Sequence, residues 1–125
     1  MITFLIIAAL TATDPCDSVH AAYSKSFQAG SNMAVKNSGA VNVTDAQGTI
    51  TGGSYTETCQ VLREETLHGE AATVYSDVMK APSGTANGTV WISKSGGLVL
   101  QQEVNVDMGA KGKGSQTITF NYKKK

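Results

Sequence analysis

The spacing of apolar and polar positions predicts one helix near the start of the chain, over residues 14–30. Small and apolar residues recur there at the spacing of a single helical face, namely Val19, Ala22, Tyr23, Ser26 and Phe27. Asp14 stands at an N-cap position, Pro15 at the first helical position and Gly30 at the expected C-cap. These signals bound an amphipathic helix that buries one stripe.

After residue 54 the pattern changes to the alternation that is typical of β-strands. We expect strands over residues 55–62, 71–79, 89–93, 98–106 and 116–122. The preceding segment is poor in large apolar groups, and it predicts short strands at residues 40–44 and 48–51. Strands at this spacing without a second helix indicate an antiparallel meander, with the N-terminal helix packed on it in an α+β fold.

The last hairpin predicts which side chains share a face of this sheet. If Val90 opposes Leu100, then Trp91 opposes Val99 on the other face. Continuing the alternation assigns the face that the helix covers to Val74, Val78, Val90, Ile92, Leu98, Leu100, Val104, Val106, Ile118 and Phe120. The second face then carries Tyr75, Met79, Trp91 and Val99 among polar residues.

Residues 1–13, with the sequence MITFLIIAALTAT, have the pattern of a secretory signal peptide. The apolar stretch is shorter than the roughly 20 residues that a transmembrane helix requires. Because no Lys or Arg precedes it, a buried strand is the alternative interpretation. We expect residues 14–125 to form one domain that is periplasmic or secreted, with no transmembrane segment after signal removal.

Composition and cysteine content add to this picture. The chain has 125 residues, of which 41% are hydrophobic and 16% charged, so a single core is expected. Ten basic residues balance ten acidic ones, which argues against a nucleic-acid partner. Cys16 and Cys59 predict a disulfide with Cα atoms within about 7 Å, because exported proteins keep such bonds. Two unpaired buried thiols are the alternative.

Motifs for catalysis or metal binding are missing from the sequence. The chain has no HExxH, GxSxG or CxxC motif, and its two histidines, His20 and His68, are too few for a tetrahedral zinc site without added ligands. We therefore expect a protein that is not an enzyme, with no catalytic residues, no metal and no cofactor. Trp91, Val99 and Tyr75 on the second sheet face are the candidate ligand-binding residues, and ordinary cross-strand packing is the alternative for them.

Three stretches of the C-terminal half also resemble a known family. They are residues 59–75, residues 90–103 with the sequence VWISKSGGLVLQQE, and the closing strand of residues 118–122. Together they are similar to bacterial exported proteins of the lipoprotein-carrier superfamily (LolA/LolB-like), over about half of the chain. The resemblance implies a curved antiparallel sheet, an incomplete half-barrel, whose concave side accepts acyl chains without catalysis.

Two functions follow as expectations. The first is an exported, non-enzymatic protein that binds an apolar ligand, either a lipid or a lipidated protein, on a sheet face. The second is a structural or interaction module of the cell envelope without a small ligand. A continuous apolar concavity around Tyr75 and Trp91 would favour the first function, and a flat polar second face would favour the other.

Overall fold

The computed structural model describes residues 14–122, which form two α-helices and six strands. The predicted signal peptide of residues 1–13 lies outside the described residues. The helices are α1 (Pro15–Gln28) and α2 (Val43–Thr51), and a short 3-10 turn covers Gly109–Lys111. The strands are β1 (Ser31–Gly39), β2 (Thr56–Leu67), β3 (Glu70–Ala81), β4 (Gly84–Ser93), β5 (Val99–Asp107) and β6 (Lys113–Tyr122).

All six strands belong to one open antiparallel sheet with the order β1-β6-β5-β4-β3-β2. Strands β2 to β6 follow one another as the predicted meander, and the α+β class is confirmed. β1 instead pairs with β6 at the far edge, where Ser31 lies opposite Tyr122. The chain therefore crosses the sheet between β1 and β2, and α2 makes this crossing. Both helices pack on the same side of the sheet, which we call the helix face; the other side is the open face.

Helix α1 confirms the prediction from its capping residues. The Asp14 side chain accepts a hydrogen bond from the backbone N–H of Cys16 at 2.8 Å, and Gly30 follows the helix in the left-handed region with φ of 75°. The buried stripe consists of Cys16, Val19, Ala22 and Ser26. Phe27, expected on this stripe, is 60% exposed and stacks on Tyr23 at the helix margin.

The second helix corrects the prediction of strands at residues 40–44 and 48–51. Asn42 caps α2 by accepting a hydrogen bond from the N–H of Asp45, and Val43, Ala46 and Ile50 lie buried at helical spacing. The β-branched residues of this segment favour strands. Packing of the buried stripe against Ala86, Val104, Val106 and Met108 outweighs that preference.

The strand bounds differ from the sequence prediction mainly at β1, β2 and β4. Residues 31–39, for which no strand was expected, pair with β6 along their whole length. β4 begins at Gly84, not at residue 89, because only Pro82 and Ser83 separate it from β3. Where the chain leaves β1, its backbone passes close to Gly114 of β6. A Cβ on Gly114 would collide with the carbonyl of Val41.

The predicted register of the last hairpin is wrong by two residues and is interrupted by a bulge. Val90 pairs with Gln102 and Trp91 with Gln101, whereas Ile92 pairs with Val99, so Leu100 is the extra residue. An extra residue inverts the alternation beyond it. Val99 consequently lies on the helix face, and Leu100 packs with Trp91 on the open face.

The predicted faces of β3 are also inverted. Tyr75 pairs with Val90 and packs in the core under α1, and Met79 packs against the α2 core. Val74 lies instead on the open face beside Trp91. Val78 joins it there, in a depression with Thr58 and Ser76. Apolar residues occupy both odd and even positions of this strand. Its sequence alternation therefore does not predict which of its side chains face the helices. Six assignments to the helix face are confirmed, those of Val90, Ile92, Val104, Val106, Ile118 and Phe120.

The disulfide predicted between Cys16 and Cys59 is confirmed, with Cα atoms 5.0 Å apart. It joins the first turn of α1 to β2, the edge strand farthest from β1. At its other end, α1 is held by Ser26, whose hydroxyl donates to the carbonyl of Ala22 and accepts from the N–H of Val99 at 2.8 Å. The helix is therefore fixed to the sheet near both of its ends.

Breaking the covalent attachment should destabilise the protein without changing the fold. Closing a loop between cysteines 43 residues apart contributes about 4 kcal/mol in the chain-entropy model. We expect the Cys16→Ala/Cys59→Ala variant to lose about this much free energy of unfolding in urea denaturation under oxidising conditions. In a reducing buffer the wild-type protein should lose a comparable amount; a variant as stable as the oxidised wild type would show that the bond does not stabilise the fold.

Candidate functional site

The three candidate ligand-binding residues do not converge on one surface. Trp91 lies on the open face and is 6% exposed, packed between Ala72 and Val74 of β3. Its indole N–H donates to the Glu65 carboxylate at 2.9 Å, and Leu67 and Leu100 pack around the same cluster. Val99 and Tyr75 lie on the helix face, and Val99 is fully buried. The hypothesis that these three side chains line one groove is therefore wrong.

The burial of Trp91 follows from the length of the β2–β3 hairpin. A bulge between Val61 and Arg63 leaves Leu62 as the extra residue in β2. The strand then continues to Leu67, five residues beyond the predicted end, and brings Glu65 and Leu67 over the indole ring. Arg63, which bonds Glu65 at 2.8 Å, holds that carboxylate in place. The hydrogen bonds from Arg63 and Trp91 lower the pKa of Glu65.

We expect Trp91 to behave as a core residue in stability measurements. Trp91→Ala should lower the free energy of unfolding by about 3 to 5 kcal/mol, the range found for buried aromatic residues. Tyr55→Ala is the control, because Tyr55 is 42% exposed and should cost far less. Chemical denaturation of both variants decides the matter, and a Trp91→Ala loss no larger than that of Tyr55→Ala would contradict the expectation.

A cleft of about 640 Å³ lies between α1 and the ends of β3 and β4. The α1 side of the cleft carries small side chains, Ser18, Ala21 and Ala22, which leave space above the sheet. Tyr75 and Ile92 contribute apolar surface from the sheet. The rest of the lining is mostly polar, with Ser24, Lys25, Gln28, Thr73, Ser93 and Lys94, so the cleft combines an apolar patch with many polar groups. Of the three predicted residues, the cleft includes Tyr75.

Two lysines border this cleft. Lys94, in the turn after β4, forms an ion pair with Glu64 in which Nζ and Oε1 are 2.6 Å apart. Lys25, in the last turn of α1, makes no ion pair within residues 14–122. Its ammonium group lies beside Gly97, in the turn that follows β4. The cleft thus combines the apolar surface of Tyr75 and Ile92 with a lysine that has no ion-pair partner among the described residues.

Backbone contacts hold the walls of the cleft in place. Ser93 is buried, and its hydroxyl accepts hydrogen bonds from the N–H groups of Gly96 and Leu98. The carbonyl of Val99 accepts a hydrogen bond from the Tyr122 hydroxyl, and its N–H is bonded to Ser26. β6 last pairs with β5 at Gln101, so these two side chains satisfy backbone groups beyond the end of the ladder.

A second group of polar residues lies beside the disulfide, under the first turns of α1. Asp77 is the cross-strand partner of Cys59, and its Oδ1 is 3.5 Å from the Cys59 sulfur. Glu57, two residues before Cys59, contacts His20 of α1 with 3.0 Å between Oε1 and Nε2. Burial, reinforced by the Glu57 carboxyl, raises the pKa of Asp77 to about 7.

Tyr23 of α1 extends this group. Its hydroxyl is buried with no hydrogen-bond partner in the described part of the chain. Burial raises the pKa of the Tyr23 hydroxyl, and the nearby charge of Asp77 raises it further. Sequence patterns did not indicate this arrangement, because its members come from α1, β2 and β3. The Glu57-x-Cys59 spacing, which sets both side chains on one face of a strand, is the local signal that could have revealed part of it.

The raised pKa of Asp77 predicts a fall in stability as the pH rises. In the unfolded chain an Asp titrates near pH 4, whereas in the folded protein this carboxyl keeps its proton up to about pH 7. Its stabilising contribution is therefore complete below about pH 4 and is lost as the pH rises through about 7. Asp77→Asn removes the charge and should raise the melting temperature at pH 8 by about 4 °C or more, the shift that about 1 kcal/mol produces.

The same substitution should change the melting temperature little at pH 4, where the Asp77 carboxyl is protonated in the folded state. Glu103→Gln, which removes an exposed acid from β5, is the matched control for the change in net charge. Thermal denaturation at both pH values checks the difference. An equal effect of Asp77→Asn at pH 4 and pH 8 would show that this carboxyl does not titrate as described.

Comparison of the chain with known protein families, with curated proteins and with solved structures finds no match in any of the three. The resemblance to lipoprotein carriers therefore stays a prediction that rests on the residues quoted for it. Neither helix within residues 14–122 combines the length and the apolar character needed to cross a bilayer.

Proposed function

We propose that this protein is an exported, non-enzymatic binder of an anionic amphiphile, such as a fatty acid or an acidic lipid. The ligand would occupy the cleft between α1 and the sheet. Its acyl chain would lie on Tyr75 and Ile92, and its charged head would lie at Lys25. The observation that carries the proposal is the combination, in one cleft of mixed lining, of an apolar patch around Tyr75 and Ile92 with an ammonium group that has no ion-pair partner within the described residues.

The proposal keeps the function expected from the sequence and moves its site. An apolar ligand was expected on the second sheet face, around Trp91 and Val99. Trp91 is buried on that face and Val99 is buried under α1, whereas the cleft that includes Tyr75 has open volume. The disulfide supports export, since such bonds persist in oxidising compartments such as the periplasm or the extracellular space.

Calorimetric titration with dodecanoate and with dodecanol tests the site. Dodecanoate should bind more tightly than the uncharged alcohol, because it can pair with Lys25. Lys25→Glu should weaken dodecanoate binding by about tenfold or more, equivalent to about 1.4 kcal/mol, and leave dodecanol binding nearly unchanged. Lys36→Glu, which places the same charge change on the edge strand β1, should alter neither affinity.

Two further results bear on the lining of the cleft. Ala21→Phe adds a large side chain at an exposed position that borders the cleft, and it should reduce binding of both ligands while the fold is retained. Native mass spectrometry of protein purified from its own envelope should show a bound lipid. No binding of either ligand to the wild-type protein, or equal effects of Lys25→Glu and Lys36→Glu, would overturn the proposal.

A structural or interaction module of the cell envelope is the second candidate, and one observation favours it. The open face around Val78 is lined by polar side chains, namely Thr56, Thr58, Gln60, Ser76 and Lys80. A polar second face was the feature expected of a module without a small ligand. Under this alternative the cleft stays empty in the titrations, and protein purified from its envelope carries no lipid.

A further inference from the structure

If the S–S bond is broken, the cysteines and the residues around them offer a set of potential metal ligands. One ligand atom from each of Cys16, Cys59, Glu57 and Asp77 can be chosen so that all four lie within 4.8 Å of one another. Sulfur and carboxylate oxygen are both ligands of Zn²⁺, which binds four such atoms in tetrahedral sites. This cluster is separate from the cleft that carries the proposed function, and it involves none of the cleft residues.

These four groups lie on elements that are neighbours in the fold, namely α1, β2 and β3. Glu57 and Cys59 are two residues apart on β2, and Asp77 pairs directly with Cys59 across the β2–β3 ladder. Cys16 occupies the first turn of α1, where the helix dipole favours a thiolate. His20 follows one turn later, and its Nε2 contacts Glu57. A ring nitrogen in this position can hydrogen-bond a ligating carboxylate and fix its orientation.

The charge at this position also favours a cation. Glu57 and Asp77 are both partly buried, and neither contacts a Lys or Arg within residues 14–122. The described groups that face the two carboxylates are His20 and Tyr23 from α1 and the two cysteines. A divalent cation would supply the compensating charge that the protein side chains do not provide.

We propose that reduction of the Cys16–Cys59 disulfide converts this cluster into a Zn²⁺ site formed by Cys16, Cys59, Asp77 and Glu57. A dithiol reductant transfers two electrons to the S–S bond and becomes a disulfide itself, leaving two thiols on the protein. Zn²⁺ then replaces the two thiol protons and, where the Asp77 carboxyl is protonated, its proton as well; all of these protons pass to solvent. With Zn–S bonds of about 2.3 Å, the two sulfurs separate to about 3.8 Å in a tetrahedral site. Side-chain rotation can produce this separation between Cα atoms that are 5.0 Å apart.

Titration of the full chain with Zn²⁺ and with Co²⁺, before and after reduction by a phosphine, tests the proposal. The reduced protein should bind one metal ion per chain, at least about tenfold more tightly than the oxidised protein, because the thiolates are absent in the latter. Bound Co²⁺ should show the thiolate-to-metal charge-transfer band and the visible bands of tetrahedral cobalt. Circular dichroism of the reduced protein, with and without metal, reports whether the fold is kept.

Two variants separate this folded site from binding by the cysteines alone. Asp77→Asn should weaken Zn²⁺ binding to the reduced protein by about tenfold or more, on the scale known for groups that support metal sites. Glu103→Gln, an acid removed from an exposed position of β5, should leave it unchanged. Equal binding by oxidised and reduced protein, an Asp77→Asn affinity equal to that of the wild type, or a reduced chain that stays unfolded with Zn²⁺ would each overturn the proposal.

Discussion

The attachment of α1 to the sheet is the constraint on which the rest of this structure depends. The disulfide fixes the first turn of the helix to the edge strand β2, and Ser26 bonds its last turn to the backbone of β5. Between these two points the helix buries Val19 and Ala22 on the sheet. A helix held near both ends cannot slide to fill space along its flank. The cleft beside Ala21 therefore persists as a consequence of the attachment and of the small side chains on that flank.

The same attachment explains why polar groups lie under the helix. Pinning Cys16 to Cys59 brings the α1 N-terminus over Glu57 and Asp77, whose burial costs free energy in the charged state. The Tyr23 hydroxyl, buried without a partner in the described region, adds to this cost. Hydrophobic packing of the two core clusters under α1 and α2 must offset it.

Local signals predicted the parts of the fold that depend on neighbours in sequence. The N-cap at Asp14, the left-handed Gly30 and the helical stripe determine α1, and the alternating segments determine the meander. Predictions failed where the outcome depends on distant packing. The β-branched residues of α2 form a helix because Val43 and Ile50 fill the core above Val104 and Val106. β1 carries few large side chains, and its existence depends on pairing with β6.

The candidate site illustrates the same division. Trp91 and Val99 were placed on one face by strict alternation, and a bulge at Leu100 separated them. The hairpin sequence does not mark this bulge. The contacts that hold Val99 at the bulge come from distant residues, since its N–H bonds Ser26 of α1 and its carbonyl bonds Tyr122. The Ser26 and Tyr122 hydroxyls bond Val99 beyond the point where the β5–β6 ladder ends. The bulge is therefore stabilised from outside the strand, and it places Val99 on the helix face and Leu100 beside Trp91.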